Sequence, residues 1–253
     1  MIVHWWGYVT SNFGDALTPW MIRRCGHVPV YASAAAEVPN VVGAGSIFGD
    51  ARAPATIWGT GIGSWMDPIA AHLEIRAVRG PLTRARAEAI GVPCPAVYGD
   101  PALLLPRLYT PAGKLSRSRL GIVPHFVDQQ IAQAFYAGVP DMRVIDLLAP
   151  IEQVIDEIAS CDAILSSSLH GLVVAAAYEI PFGWARFSGG VAGDGTKFRD
   201  FYMSVGIDPP AEPMHCEAEA FSVENFASWI PPYAAKVNVS ALWDACPFRP
   251  VTT

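Results

Sequence analysis

Short apolar runs that alternate with helical stretches are the feature that most constrains the fold of this 253-residue chain. The apolar runs at 40–45 and 56–62 lead into glycines, as strands do where they enter tight turns. Proline opens and glycine closes the helical stretch at 81–91. Strands that alternate with helices of about 10–12 residues favour parallel sheets covered by helices on both faces, so the sequence predicts an α/β fold.

The alternation occurs twice, on either side of a polar segment. Residues 106–119 carry proline, glycine and several charged side chains, and we interpret them as a linker. We therefore expect one Rossmann-like domain over 1–110 and a second over 118–206, with parallel sheets that face a shared cleft. Residues 207–253, rich in proline and tryptophan, are expected to form a helical tail that packs across both domains. Ligands of open α/β sheets bind beyond the carboxyl ends of the strands, so the cleft is the expected site.

The composition excludes several classes of protein. Hydrophobic residues make up 52% and charged residues 16% of the chain, which provides a large core and excludes intrinsic disorder. The net charge of −6 provides no general basic field, so nucleic acid is not an expected partner. The five cysteines are widely spaced and form no C-x-x-C pair, so neither a disulfide frame nor a metal site is expected.

The sequence also favours a location in the cytoplasm. Residues 1–17 lack the basic start and the long apolar core of a secretory signal. No uncharged apolar run reaches the roughly 18 residues of a membrane-spanning helix. We expect a cytoplasmic protein, with peripheral contact at the inner membrane face as an open alternative.

Three serines, a leucine, a histidine and a glycine at 166–171 stand between a buried strand and an apolar helix. This position places hydroxyls and the His170 imidazole at a helix N-terminus, where backbone N–H groups and the helix dipole favour an anion. The alternative is a serine that caps the helix beside a structural histidine. The pattern leaves both interpretations open.

Two groups of cations can hold a carboxylate or a phosphate. Arg79 lies at a corner between a strand and a helix that begins with proline, where its guanidinium can bind an anion through two hydrogen bonds. Lys197 and Arg199 follow a glycine loop that opens a helix, and a capped surface loop explains them equally well. Arg84 and Arg86 fit a solvated helix face.

Two further motifs are turn or cap signals when each is taken alone, namely Asn12 to Asp15 with Gly14 between them and the turn that contains Asp100. A third motif places His125 at the end of a predicted strand. The glycines at 43–45 and 59–61 resemble a dinucleotide fingerprint but lack its third glycine and its long helix, so no nucleotide cofactor is expected.

In this order the motifs resemble the polysaccharide pyruvyltransferase family, in particular the ketal pyruvate transferases of xanthan and succinoglycan type. The likeness covers about residues 1–205, and its motifs lie at 12–15, 43–46, 58–62, 77–81, 98–101, 122–126, 166–171 and 197–202. The resemblance implies a two-domain, glycosyltransferase-B-like architecture and phosphoenolpyruvate as the donor. It implies no separate cofactor and no nucleotide sugar.

The resemblance also implies roles for particular residues. Arg79 and His170 would serve the donor as catalytic residues. Some relatives carry an arginine where this chain has Ser168, so Lys197 or Arg199 is predicted to replace that cation. The remaining residues predicted to bind the donor are Ser167, Ser168, Leu169, Gly171 and His125. The residues predicted to bind the acceptor, an oligosaccharide or a lipid-linked saccharide, are Asn12, Gly14, Asp15 and Asp100.

Two other functions fit the same sequence. A glycosyltransferase of this fold would use a nucleotide sugar instead of phosphoenolpyruvate. A relative that has lost catalysis would only bind saccharide, although such a protein would have little need to keep both Arg79 and His170.

Overall fold

The computed structural model describes residues 1–4, 12–32, 38–52, 54–216, 223 and 230–250. The chain divides into two compact units. Unit 1 comprises Met1–Leu104, Gly193–Pro209 and Lys236–Thr253, and unit 2 comprises Leu105–Ala192 and Pro210–Ala235. Each unit is built around its own parallel sheet, which confirms the predicted α/β class.

The sheet of unit 1 has the strand order β2-β1-β3-β4-β5, and all of its neighbouring strands are parallel. Its strands are β1 Ile2–His4, β2 Val30–Tyr31, β3 Asn40–Val42, β4 Ala55–Trp58 and β5 Glu74–Ala77. The apolar run at 2–6 predicts a strand as well, and residues 5 and 6 of this run lie outside the described part of the chain.

Helices cover this sheet because their apolar residues recur at helical spacing. In α1, Phe13–Arg24, the buried residues Phe13, Leu17 and Met21 are four positions apart and lie on one face. Helix α2, Pro81–Ala89, begins with the proline that the sequence indicated, at a position where the missing N–H costs nothing.

The sheet of unit 2 has the order β10-β9-β8-β6-β7 and is also parallel. Its strands are β6 Ser118–Val123, β7 Met142–Val144, β8 Cys161–Ser166, β9 Phe182–Arg186 and β10 Met214–His215. Its helices are α3 Leu105–Leu108, α4 Gln129–Tyr136, α5 Ile151–Ala159 and α6 Leu169–Ala177. Helix α6 is buried along nearly its whole length, in keeping with its apolar sequence.

Two later helices belong to unit 1. They are α7, Thr196–Ser204, and α8, Ser240–Asp244. The Trp58 indole at the end of β4 donates a hydrogen bond of 2.9 Å to the Leu242 carbonyl of α8. The sequence placed residues up to 206 with the second sheet, whereas the structure places 193–209 with unit 1, because α7 packs against α2.

Both sheets have the same topology, and this topology locates the edge where ligands bind. In each, the first strand lies between the second and the third, so the strand order reverses between β1 and β3 in unit 1 and between β6 and β8 in unit 2. Open α/β sheets bind ligands beyond the carboxyl ends of the strands at this reversal. The shared cleft stays a prediction. Among the described residues, no helix is long and apolar enough to cross a membrane.

Candidate active site

Two of the predicted motifs meet where the strand order of unit 2 reverses. Strands β6 and β8 end side by side, with Val123 paired to Ser166. The residues that follow are therefore neighbours, and the His125 N–H donates a hydrogen bond of 2.9 Å to the Ser167 hydroxyl. The structure thus brings together His125 and the 166–171 motif, which are far apart in sequence.

The three serines of this motif have different tasks. The Ser166 hydroxyl lies 2.6 Å from the Val123 carbonyl and 2.8 Å from the Ser168 carbonyl, and it accepts the Ser168 N–H at 3.0 Å. The Ser167 hydroxyl donates to the Asp128 carboxylate at 2.7 Å. Within the part of the chain that the structure describes, the Ser168 hydroxyl makes no hydrogen bond. Ser166 and Ser167 therefore hold the loop, and Ser168 is the hydroxyl that remains for a ligand.

The first turn of α6 lies directly against the strand ends. Leu169 and His170 are its first two residues, and both are buried. A Cβ atom at Gly171 would collide with the Ser166 hydroxyl and come within 2.8 Å of Val123, so only glycine allows this approach. Ser168 precedes the helix without capping it through its side chain. A helix start that is not capped in this way favours an anion.

His125 lies at the same edge and is half-buried. Its Nδ1 accepts a hydrogen bond of 3.4 Å from the Val127 N–H at the start of a short 3-10 helix. Its ring packs against the Phe126 ring, with 4.4 Å between the ring centroids. These contacts hold the imidazole at the strand end where a donor was predicted to bind.

Sequence reasoning missed Asp128. This carboxylate is fully buried and accepts hydrogen bonds from the hydroxyls of Ser167 and Ser188. The only signal in the sequence is an acidic residue at the start of the helical stretch 127–138, which is typical of an ordinary cap. Its serine partners follow two other strands, so no local pattern connects them.

In unit 1, the predicted cation Arg79 is fully buried and bonded within the protein. Its guanidinium donates to the Asp200 carboxylate at 3.2 Å, to the Ser46 hydroxyl at 2.8 Å and to the Ile62 carbonyl at 2.5 Å. A Cβ atom at Gly61 would collide with this guanidinium, so the glycine loop after β4 closes directly over it. These contacts give Arg79 a structural task, and its role toward the donor stays a prediction.

Asp200 has a second task that the sequence did not indicate. Its Oδ1 accepts the backbone N–H groups of Leu82 and Thr83 at 2.9 and 3.1 Å, and its Oδ2 accepts the Thr83 hydroxyl at 2.6 Å. A carboxylate of α7 thus caps the N-terminus of α2, as a local N-cap residue usually does.

The predicted cations Lys197 and Arg199 lie in unit 1, at the start of α7. Burial, and then the positive charge of Arg79, lowers the pKa of Lys197 to about 8. Arg199 donates to the Asp194 carbonyl at 3.0 Å. An ammonium with a lowered pKa is one whose charge a bound anion would stabilise.

Asp194 explains the glycine loop that precedes these cations. Its carboxylate accepts the Thr196 N–H at 2.9 Å, the Ser64 hydroxyl at 2.8 Å and the Trp65 N–H at 3.2 Å. Burial alone would raise the pKa of Asp194, but these hydrogen bonds outweigh it and lower the pKa to about 2. The loop is therefore a capped turn, which was one of the two interpretations of the sequence.

The residues predicted to bind an acceptor occupy two places in unit 1. Asn12 donates to the Asp15 carboxylate at 3.1 Å, and Gly14 is buried beside them in the first turn of α1. Asp100 is fully buried, and its Oδ1 accepts the Ala102 N–H at 2.9 Å. Asn12 and Asp15 are half-buried. Contact of Asn12, Gly14, Asp15 and Asp100 with an acceptor stays a prediction.

No group of three or more histidine, cysteine, aspartate or glutamate side chains among the described residues is arranged to hold a metal ion.

The fold and the site of unit 2 define a class of protein. A parallel α/β unit that presents a helix N-terminus, a serine hydroxyl and two histidines at its topological reversal is suited to bind a small anion and to move protons beside it.

The chain belongs to the polysaccharide pyruvyl transferase family, whose model matches residues 46–184. This match confirms the resemblance, and it covers Arg79, His125 and His170. Membership in this family implies a transferase.

Two curated relatives are similar over most of the chain. The succinoglycan biosynthesis protein ExoV of Rhizobium meliloti (strain 1021) is 27% identical over 233 residues, which are 86% of this chain and 69% of the relative. The uncharacterized protein L143 of Acanthamoeba polyphaga mimivirus is 26% identical over 229 residues, which are 86% and 80% of the two chains. No solved structure matches the chain.

Proposed function

We propose that this protein transfers pyruvate from phosphoenolpyruvate to two hydroxyls of a saccharide, forms a cyclic ketal and releases phosphate. The observation that carries the proposal is the start of α6, where the Ser168 hydroxyl, His170 and the helix N-terminus lie together in a chain of the pyruvyl transferase family. Similarity to a protein of succinoglycan biosynthesis supports an exopolysaccharide precursor as the acceptor.

The donor fits the charge of this edge. Phosphoenolpyruvate carries a carboxylate and a phosphate, and the phosphate has a charge of about −1.5 to −2 near neutral pH. The first turn of α6 offers its dipole, and Ser168 offers a hydroxyl that no described residue uses. His125 and His170 can each donate an N–H to an anionic oxygen. Leu169 and Gly171 are proposed to contribute backbone groups of this turn, which the missing side chain of Gly171 lets approach the strand ends closely.

The reaction needs proton transfers that an imidazole can perform. A proton added to the donor methylene makes C2 electrophilic, and the first sugar hydroxyl then forms a bond to C2 and loses its proton. The bond from C2 to the phosphate oxygen breaks, phosphate leaves, and the second hydroxyl adds to C2 and loses its proton. One of the two hydroxyl protons restores the acid that protonated the methylene, and the other is carried away by the phosphate. We assign these transfers to His170, because imidazole titrates in the required range.

Unit 1 is proposed to bind the acceptor. Asn12 and Asp15 lie at the start of α1, the first described element after β1 in the chain, and the strand order of this sheet reverses beside β1. Amide and carboxylate groups are suited to hydrogen-bond sugar hydroxyls. Holding the diol in place would supply much of the remaining rate.

Lys197 is proposed to bind the donor through its charge, and this makes donor binding depend on pH. Because its pKa is about 8, Lys197 is protonated below that pH and loses its charge above it. We expect the KM for phosphoenolpyruvate to rise by up to about tenfold per pH unit above 8. Initial rates from pH 6 to 10 measure this. Lys197→Met should flatten the profile, whereas Lys114→Met, at an exposed lysine, should not. An identical profile for Lys197→Met would remove Lys197 from donor binding.

Release of phosphate separates the proposal from its alternatives. The protein is incubated with phosphoenolpyruvate and a candidate oligosaccharide, and in parallel with nucleotide sugars and the same acceptor. We expect acceptor-dependent phosphate release with phosphoenolpyruvate and no transfer from nucleotide sugars. Sugar transfer from a nucleotide sugar would identify a glycosyltransferase. Binding of the oligosaccharide without phosphate release from any acceptor would identify a saccharide-binding protein.

A further inference from the structure

One buried carboxylate joins three loops of unit 2. Asp128 has no exposed surface, and its two oxygens accept hydrogen bonds from the hydroxyls of Ser167 and Ser188. Asp128 follows β6, Ser167 follows β8, and Ser188 follows β9. These three strands are adjacent in the sheet, so the carboxylate links their carboxyl ends at the edge where a ligand binds.

Each of the two serines also accepts a hydrogen bond from a backbone amide. The Ser167 hydroxyl accepts the His125 N–H at 2.9 Å, and the Ser188 hydroxyl accepts the Gly190 N–H at 2.9 Å. A hydroxyl has a single hydrogen, and each serine donates that hydrogen to the carboxylate. Asp128 therefore fixes the orientation of both hydroxyls and, through them, the positions of the two amides.

Stability alone is a weak reason for this arrangement. A buried carboxylate is costly unless it is well hydrogen-bonded, and replacing both partners of a buried hydrogen bond by apolar groups of the same shape can be nearly neutral for stability. The bonds of Asp128 instead determine where Ser167 lies, and Ser167 immediately precedes Ser168 and the first turn of α6. A small displacement of that turn would move the hydroxyl and the imidazole that hold the ligand.

We propose that Asp128 is the positioning residue of the donor site, acting through Ser167 and Ser188 without contact to the donor. The identity of the ligand rests on the proposed function. If Asp128 positions the donor site, Ser167 contributes to the site through its hydrogen bond to Asp128, whereas Ser168 contacts the ligand itself.

Asp128→Asn tests the proposal, and Asp156→Asn is its matched control. Asp156 lies on α5 of the same unit, and its carboxylate also accepts a hydroxyl, that of Tyr109 at 3.0 Å, together with the Ala112 N–H at 2.8 Å. We expect Asp128→Asn to raise the KM for phosphoenolpyruvate on the order of tenfold, because weaker hydrogen bonds to Ser167 and Ser188 would let the first turn of α6 shift. Asp156→Asn should leave this KM unchanged even if it lowers the melting temperature. Equal KM values in both variants would overturn the proposal.

A double variant tests the path of the effect. Because Asp128 acts in part through Ser167, the rise in donor KM in the double variant Asp128→Asn, Ser167→Ala should be smaller than the two single effects combined. Losses that simply add would show that the two residues act independently and would contradict the proposal.

Hydrogen exchange gives a measurement that does not require activity. Asp128→Asn should increase amide exchange at 124–127, 166–171 and 187–190 together, and Asp156→Asn should not. Unchanged exchange at 166–171 in Asp128→Asn would exclude the positioning role. If the wild-type protein releases no phosphate, the proposed function fails, and the exchange result still decides the role of Asp128.

Discussion

Replacing His170 with alanine is expected to lower the rate of pyruvyl transfer by about 10²–10⁴-fold, the usual contribution of a positioned acid or base. His170 lies in the first turn of α6 and is buried, so alanine removes the imidazole from the proposed site. Steady-state phosphate release with saturating phosphoenolpyruvate and acceptor measures the change in kcat. His215→Ala, at an exposed histidine of the same unit, serves as the control and should leave kcat unchanged.

A second substitution at this position separates proton transfer from hydrogen bonding. His170→Gln keeps a side chain that can donate a hydrogen bond but cannot titrate. If His170 transfers protons, glutamine should be nearly as inactive as alanine. Recovery of most of the wild-type kcat in His170→Gln would show that the residue only positions the donor.

Asp200→Ala is expected to destabilise unit 1 by about 3–5 kcal/mol, the usual cost of breaking a buried ion pair. The substitution leaves the Arg79 guanidinium buried without its carboxylate and removes the cap of α2. Urea unfolding measures the loss, and amide exchange over 81–89 assigns it to unit 1. Asp162→Ala, in an exposed ion pair with Arg117, should cost no more than about 1 kcal/mol.

The partner of Asp200 supplies a further check of this prediction. Replacing Arg79 with methionine in the Asp200→Ala variant removes the uncompensated charge, so part of the lost stability should return. If the double variant is less stable than Asp200→Ala by the full cost of a second independent substitution, the buried pair is not the reason for the loss.

The sequence predicts those parts of the fold and the site that depend on local patterns. Apolar runs, glycines and the proline at 81 predicted parallel sheets in two halves, and the apolar helix after the serines placed His170 in a first turn. These predictions succeed because adjacent residues are enough to show whether a segment favours a strand or a helix and where that segment ends.

Contacts between distant segments could not be predicted in this way. The sequence around Arg79 looks the same whether the side chain faces a ligand or a buried carboxylate. Its partner Asp200 is 121 positions away in the chain. For the same reason, the sequence did not indicate that Asp200 caps α2 or that Asp128 binds two serines. The sequence also did not predict that α7 belongs to unit 1, although the predicted domain boundary was placed at 206. Helical periodicity does not specify which sheet a helix covers.

The central claim is that two hydroxyls of a saccharide become bridged by pyruvate taken from phosphoenolpyruvate. The most direct measurement is mass spectrometry of a candidate oligosaccharide, such as a fragment of succinoglycan without its pyruvate, after incubation with the protein and phosphoenolpyruvate. We predict a product that has gained one pyruvate ketal and one acidic group, in equal amount to the phosphate released, and no such product with His170→Ala. Phosphate released without any gain in mass of the acceptor, or a mass gain that requires a nucleotide sugar, would contradict the claim.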